Sequence, residues 1–268
     1  MMKDGLNPKL HFLIISGVAL LCFAFLVTRP KTVVKDEVKA VSSTPAEQGV
    51  HMMNPEAVRM AVEIREKYAT DANPMNVYRE LGEMFYKASV FDSSAYYFEQ
   101  IALHSPGVEN WLRSGDAYLQ AFSLALNAVR AEELAEKTRE SYSRALQIDP
   151  GNLHARTNTA LTYVNSSNPM RAINILREVL DKQPNYLPAI LSMGKLSMQS
   201  GQFDKAAERF KEVLRLDKTN VDGKIGLAYS YIELGNAVEA KALLSELLEE
   251  DIDAVIKDEV RKTLNNLK

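Results

Sequence analysis

Four histidines, one cysteine and thirty-five carboxylates are the side chains of this 268-residue chain best suited to acid–base, nucleophilic or metal chemistry. Their spacing argues against all three. His11, His51, His104 and His154 are scattered, no pair has metal-ligand spacing, and no HExxH occurs. Cys22 lies within an apolar run, where a Cys/His nucleophilic site is not expected, and a lone cysteine excludes an intramolecular disulfide. No GxSxG turn, phosphate loop or GxGxxG is present. The acids of "EELAEK" (132–137) and "EVLRLDK" (212–218) are spaced as solvated helical faces with opposite charges beside them. No catalytic residue, cofactor or metal ligand is expected.

The elements behind these residues are helices. Net charge is −3, which leaves no electrostatic footprint for nucleic acid. Hydrophobic residues make up 46% and charged residues 25%, an ordinary globular composition. Only 12 glycines and 10 prolines in this length, with few alternating β-branched runs, favour helix over sheet.

From residue 75 the chain repeats with a period of about 34. Tyr78, Leu81, Gly82, Phe85, Ser94, Phe98 and Pro106 mark the first unit. Trp111, Gly115, Tyr118, Thr138, Tyr142, Ala145 and Pro150 mark the second. Ala160, Tyr163, Ala172, Leu176 and Pro184 mark the third. Met193, Gly194, Gly201, Ala206 and Phe210 mark the fourth, with Lys218 in place of proline. Leu227, Ala228, Tyr231, Gly235, Ala240 and Leu244 mark the fifth. Small residues belong where two helices approach closely, and the large ones fill the space beside them. Gly201 and Gly235 fall at turns that need a left-handed backbone. Trp111 and Met193 take packing positions, while Met198 falls on an inner face. The second unit runs about eleven residues over the repeat spacing, so both its helices should gain one to two turns, with Asn127 at the turn between them.

This pattern resembles the tetratricopeptide repeat family over residues 75–251. The resemblance implies an all-α superhelical solenoid of about five helix pairs, the second unit extended over about 108–150. Residues 54–74 are expected to form an N-terminal capping helix. Residues 252–268 should form a C-terminal one, with Ala254, Val255, Val260 and Leu264 facing the stack. In this family the first helix of each pair lines a concave face. The resemblance therefore implies a groove, with Arg79, Glu83 and Tyr86 from the first unit and Leu112, Asp116 and Leu119 from the second. His154, Thr157, Asn158 and Leu161 follow from the third, Leu191, Lys195 and Met198 from the fourth, and Ile225, Tyr229 and Ile232 from the fifth. The partner-binding residues expected are Arg79, Glu83, Asp116, His154, Asn158, Leu161, Leu191, Lys195, Met198, Ile225, Tyr229 and Ile232. The C-terminal half of that face is apolar with one lysine, which suits an extended peptide or the apolar side of a helix unless the end helix covers it. Some family members clamp chaperone tails with Lys and Asn. Here those places hold Leu112, Asp116, Pro188 and Ser192, and only Asn158 matches, so no such clamp is expected.

Ahead of the repeats, "LHFLIISGVALLCFAFLVT" (10–28) is an apolar run of about 28 Å as a helix, close to a hydrocarbon core. A nine-residue tail (1–9) precedes it. Residues 29–53 read as a flexible linker with a reach of roughly 25–30 Å. No small-residue cleavage site follows the run directly, so an uncleaved single-pass anchor is expected. Lys3 and Lys9 before it, against Arg29, Lys31, Lys35 and Lys39 after it, favour a cytoplasmic body. A short basic tail before a first apolar segment favours an outward-facing one. The reading adopted is a bacterial inner-membrane protein with a periplasmic body, the cytoplasmic orientation being the alternative. Together with "NSSNPMRAINILREVL" and "LSMQSGQFDKAAERF", the anchor resembles an uncharacterised group of membrane-anchored repeat proteins of Bacteroidota. The function expected is a membrane-anchored scaffold that binds a protein or peptide partner and has no catalytic activity. The alternative is a chaperone-like accessory that holds clients in envelope assembly, secretion or cytochrome maturation. Oligomeric state is left open.

Overall fold

The computed structural model describes residues 55–267, and among these every regular element is a helix. The tail, anchor and linker expected at 1–9, 10–28 and 29–53 lie outside the described residues. Twelve helices follow in order: α1 (Pro55–Lys67), α2 (Pro74–Lys87), α3 (Phe91–His104), α4 (Val108–Ser123), α5 (Ala128–Ile148), α6 (Leu153–Leu161), α7 (Pro169–Lys182), α8 (Leu187–Gln199), α9 (Phe203–Leu216), α10 (Val221–Glu233), α11 (Ala237–Glu249) and α12 (Ala254–Asn266). Five pairs, α2/α3 to α10/α11, lie between α1 and α12. Among the described residues no helix is long and apolar enough to cross a membrane.

Local sequence sets where these helices start and stop. Asn73, Asn127, Asn152, Asn220 and Asp253 each turn a side-chain oxygen onto a free amide of the first turn. Pro106, Pro150 and Pro184 fall just past α3, α5 and α7. Gly201 and Gly235 adopt φ of +71° and +78° at the α8–α9 and α10–α11 turns. Ser89 takes φ of 58° at the matching α2–α3 turn, where a side chain is strained.

Three pairs close by setting a glycine against a ring, and the third and fifth set an alanine among leucines, Leu176 and Leu244. A Cβ on Gly82 would sit 2.7 Å from the Phe98 ring, one on Gly115 2.6 Å from Tyr142, and one on Gly194 2.8 Å from Phe210. Ala160, Ala172, Ala206, Ala228, Ala240 and Ser94 are fully buried in matching roles. Trp111 and Met193 are also buried, in line with a packing role. Consecutive helices pack on one another throughout. The first helices of successive pairs also touch, α4 on α6, α6 on α8 and α8 on α10, which the second helices do not do to the same extent. The stack is therefore tighter along its first-helix side.

The structure departs from the sequence reading in three places. The extra length of the second unit goes mainly into α5, which has 21 residues, while α4 has only 16. Asn127 sits at the turn between the two helices, as expected, and caps α5. In the third unit α6 stops at Leu161 after nine residues, leaving Tyr163 in the turn beyond it. The run "TNTALTYVNSSNP" explains the early stop. Thr159, Thr162 and Ser166 hydroxyls donate to the carbonyls of Ala155, Thr159 and Tyr163, competing for groups a longer helix would use. At the C-terminal end α12 packs through Ile256, Val260 and Leu264, spaced i, i+4, i+8, while Ala254 and Val255 are exposed.

Candidate partner-binding face

The first-helix side carries a row of side chains that link neighbouring first helices. Glu83 of α2 forms an ion pair with Arg113 of α4, whose guanidinium lies 4.5 Å from the centre of the Phe98 ring. Arg79 is exposed beside that pair, at a small crevice shared with Asn110. Lys195 of α8 meets Asp222 of α10 at 2.8 Å, and Tyr229 of α10 shares a hydrogen bond of 3.2 Å with Thr263 of α12.

The densest arrangement lies between α4 and α6. Asp116 Oδ1 accepts a hydrogen bond from the Tyr142 hydroxyl at 2.6 Å, and His154 Nε2 stands 2.6 Å from the same oxygen. Asn158 Nδ2 donates to the Tyr142 oxygen at 3.1 Å and lies 3.3 Å from Asp116 Oδ1. The Tyr142 ring is fully buried on α5, and only the bare backbone of Gly115 lets its hydroxyl reach this side. Burial, reinforced by the adjacent Asp116 carboxylate, pushes the Tyr142 hydroxyl far above the ordinary phenol range, so it remains a donor. The hydrogen bond to Asp116 raises the pKa of His154 against the opposing effect of burial.

Beyond this cluster the row turns apolar. Leu161 is half-buried on α6, and Leu191 and Met198 are half-buried against the Phe210 cluster. Met198 thus packs on its neighbours as well as lying along the row. Ile225 and Ile232 pack on a cluster that includes Val260 of α12, and Tyr229 bonds Thr263. The last third of the expected face is therefore partly taken up by the C-terminal helix. The structure brings Asp116, His154 and Asn158 together and joins Glu83 and Lys195 to partners across the row. It does not gather all twelve residues into one site.

Sequence reading missed three contributors to the row. Arg113 and Asp222 stand one position from counted residues or one turn away, and i, i+3 spacing from Asp116 and Ile225 would have found them. Tyr142 was counted as packing alone. Its signal is a hydroxyl at the ring position that Phe98 and Phe210 fill elsewhere. Lys224 has no sequence signal. It is buried at 4% exposure in the position Trp111 occupies in its unit, and pairs with Glu246 at 2.6 Å and with Glu250. Those carboxylates, Glu246 first, raise its pKa despite burial.

Helix pairs closed by a small residue against a large one, and stacked through their first helices, are the architecture of tetratricopeptide repeats. Residues 197–257 match the model of the tetratricopeptide repeat family. The chain is 27% identical over 106 residues to human protein O-mannosyl-transferase TMTC3, covering 39% of this chain and 12% of that protein. It is 33% identical over 91 residues to the mouse protein, covering 34% of this chain and 10% of that one. The chain thus spans only about a tenth of the length of these curated relatives. Among solved structures, a thermophilic TPR protein of Thermus thermophilus superposes with a TM-score of 0.52 at 13% identity, over 70% of this chain and 97% of that one. PilW, described as a widely conserved type IV pilus biogenesis factor, superposes with 0.53 at 18% identity, over 79% and 94%. These similarities establish the fold. Among the described residues no group of three or more His, Cys, Asp or Glu is placed to hold a metal ion.

Proposed function

We propose that this chain is a membrane-tethered scaffold that holds a protein or peptide partner along the first-helix face of its repeats. The observation that carries the reading is the graded row on that face. A polar end at Arg79, Glu83 and Asp116–His154–Asn158 passes into a half-buried apolar stretch at Leu161, Leu191 and Met198, with Lys195 beside it. An extended segment with polar and apolar residues in that order matches it. Ile225, Tyr229 and Ile232 continue the row but share their surface with α12, so the main contact falls on α2 to α8. The tether rests on the apolar run at 10–28, the bacterial inner-membrane location on the resemblance seen in the sequence, and the periplasmic orientation on the short basic tail before the run, with the cytoplasmic orientation as the alternative. The alternative of a chaperone-like accessory uses the same face with many weak clients.

Photo-crosslinking residues placed at Leu161 or Lys195, and at Arg144 on the second-helix side, test this in native membranes. One discrete adduct from the first two positions and none from Arg144 is expected. Adducts from all three alike, or none at the inner positions, would remove the face from consideration. A broad ladder of weak adducts at the inner positions would favour the chaperone-like alternative. Alkaline carbonate extraction checks the tether, and release of the chain into the soluble fraction would refute it.

A further inference from the structure

We propose that the array consists of two blocks, α1–α5 and α6–α12, which meet at a polar joint and flex against each other there. Buried apolar side chains carry the continuity of a stack, and elsewhere they do so here. Tyr78 packs on both of the first two clusters, α8 contributes to the clusters on either side of it, and Leu243 packs on the last two. Between α5 and α6, among the described residues, no such cluster crosses. Ala102, Trp111 and Ala145 close the block before it, and Leu153, Ala160 and Leu176 open the block after it.

Polar contacts span the boundary instead. Asp116 holds His154 and Asn158, and Tyr142 accepts from Asn158. Arg139 of α5 lies 5.1 Å from the centre of the Tyr163 ring. Thr157 of α6 buries a hydroxyl that has no hydrogen-bond partner. Opening an apolar boundary exposes surface that water solvates poorly. Opening this one exchanges protein hydrogen bonds for water hydrogen bonds, which costs less than exposing an apolar cluster. There is also room for movement. On the second-helix side a cleft of about 770 Å³ lies between α5 and α7, lined by Arg139, Ser143, Gln147, Thr159 and Tyr163. α6, the shortest helix of the array, forms the wall at the joint. The inference does not depend on what binds the array, although Asp116, His154 and Asn158 place the joint on the proposed face.

Electron–electron distance measurements on the full chain test it, in a Cys22→Ser background. Spin labels at Leu103→Cys and Met170→Cys span the joint. Labels at Met170→Cys and Val238→Cys stay within the second block, and all three sites are exposed. The expected result is a distance distribution at least about twofold broader across the joint than within the block. His154→Ala should broaden the first further and leave the second unchanged, which also shows that the block stays folded. Equal widths for the two pairs, a cross-joint width that ignores His154→Ala, or equal broadening of both would overturn the proposal.

Discussion

The Asp116–His154 contact should stabilise the fold in acid and lose its ionic part as pH rises. His154 Nε2 stands 2.6 Å from Asp116 Oδ1, and the two side chains keep 46% and 37% of their exposure. At that exposure a pair contributes about 0.2–1 kcal/mol, and the short contact beside the buried Tyr142 hydroxyl points to the upper part of that range. The sign follows from the hydrogen bond, which raises the pKa of His154 above its ordinary value of about 6.5. The folded state therefore binds the proton more tightly than the unfolded chain. The contribution is fully present below about pH 6.5 and fades as pH climbs through the folded-state pKa of His154. Asp116 on α4 and Tyr142 on α5 are the titratable groups that meet the imidazole, and Asn158 on α6 is neutral. A double-mutant cycle with Asp116→Asn and His154→Gln isolates the pair, since asparagine still accepts from Tyr142 and glutamine still donates. Urea unfolding at about pH 5.5 should give a coupling energy near 0.5–1 kcal/mol, shrinking at about pH 8.5. A coupling that is equal at both pH values, or a His154 titration by NMR at or below the ordinary value, would refute the reasoning.

Two further outcomes follow from the packing and the turns. Gly115→Ala forces a Cβ to within 2.6 Å of the Tyr142 ring, which is fully buried and has nowhere to move, so urea unfolding should show a loss of about 1–3 kcal/mol. Ser89→Gly relieves left-handed strain of about 1–2 kcal/mol at the α2–α3 turn against an entropic cost of about 0.4–1 kcal/mol, so the same measurement should show a small gain, and a loss would contradict the strain argument.

The repeat was legible because it depends on local volume. A glycine or alanine opposite a ring or a leucine leaves a similar mark in every unit, and Gly82, Gly115, Gly194, Ala160 and Ala228 are all closely packed. The turn glycines Gly201 and Gly235 were legible for the same reason, since a left-handed backbone selects the residue directly. The partner face was legible only in part. Helical spacing from the resemblance placed Asp116 and His154 on first helices. It could not show that Tyr142, counted as packing on a second helix, sends its hydroxyl through the gap at Gly115 to join them. Nor could it show how far α12 would occupy the surface of Ile225, Tyr229 and Ile232, which depends on the docking angle of a whole helix.

By itself the sequence determined the helix pairs, their order and their small-against-large closure, because these follow from the chain's own periodicity and from side-chain volumes a few residues apart. The apolar run at 10–28 was likewise read from composition alone. Only the tertiary structure decided where the stack is apolar and where it is polar. Continuity of a core depends on which side chains of different units meet, and no spacing within one unit encodes that. The break between α5 and α6, the early end of α6 and the burial of Lys224 between two carboxylates are all of this kind. Each arises from groups brought together across units, where burial and hydrogen bonding outweigh what any single helix prefers.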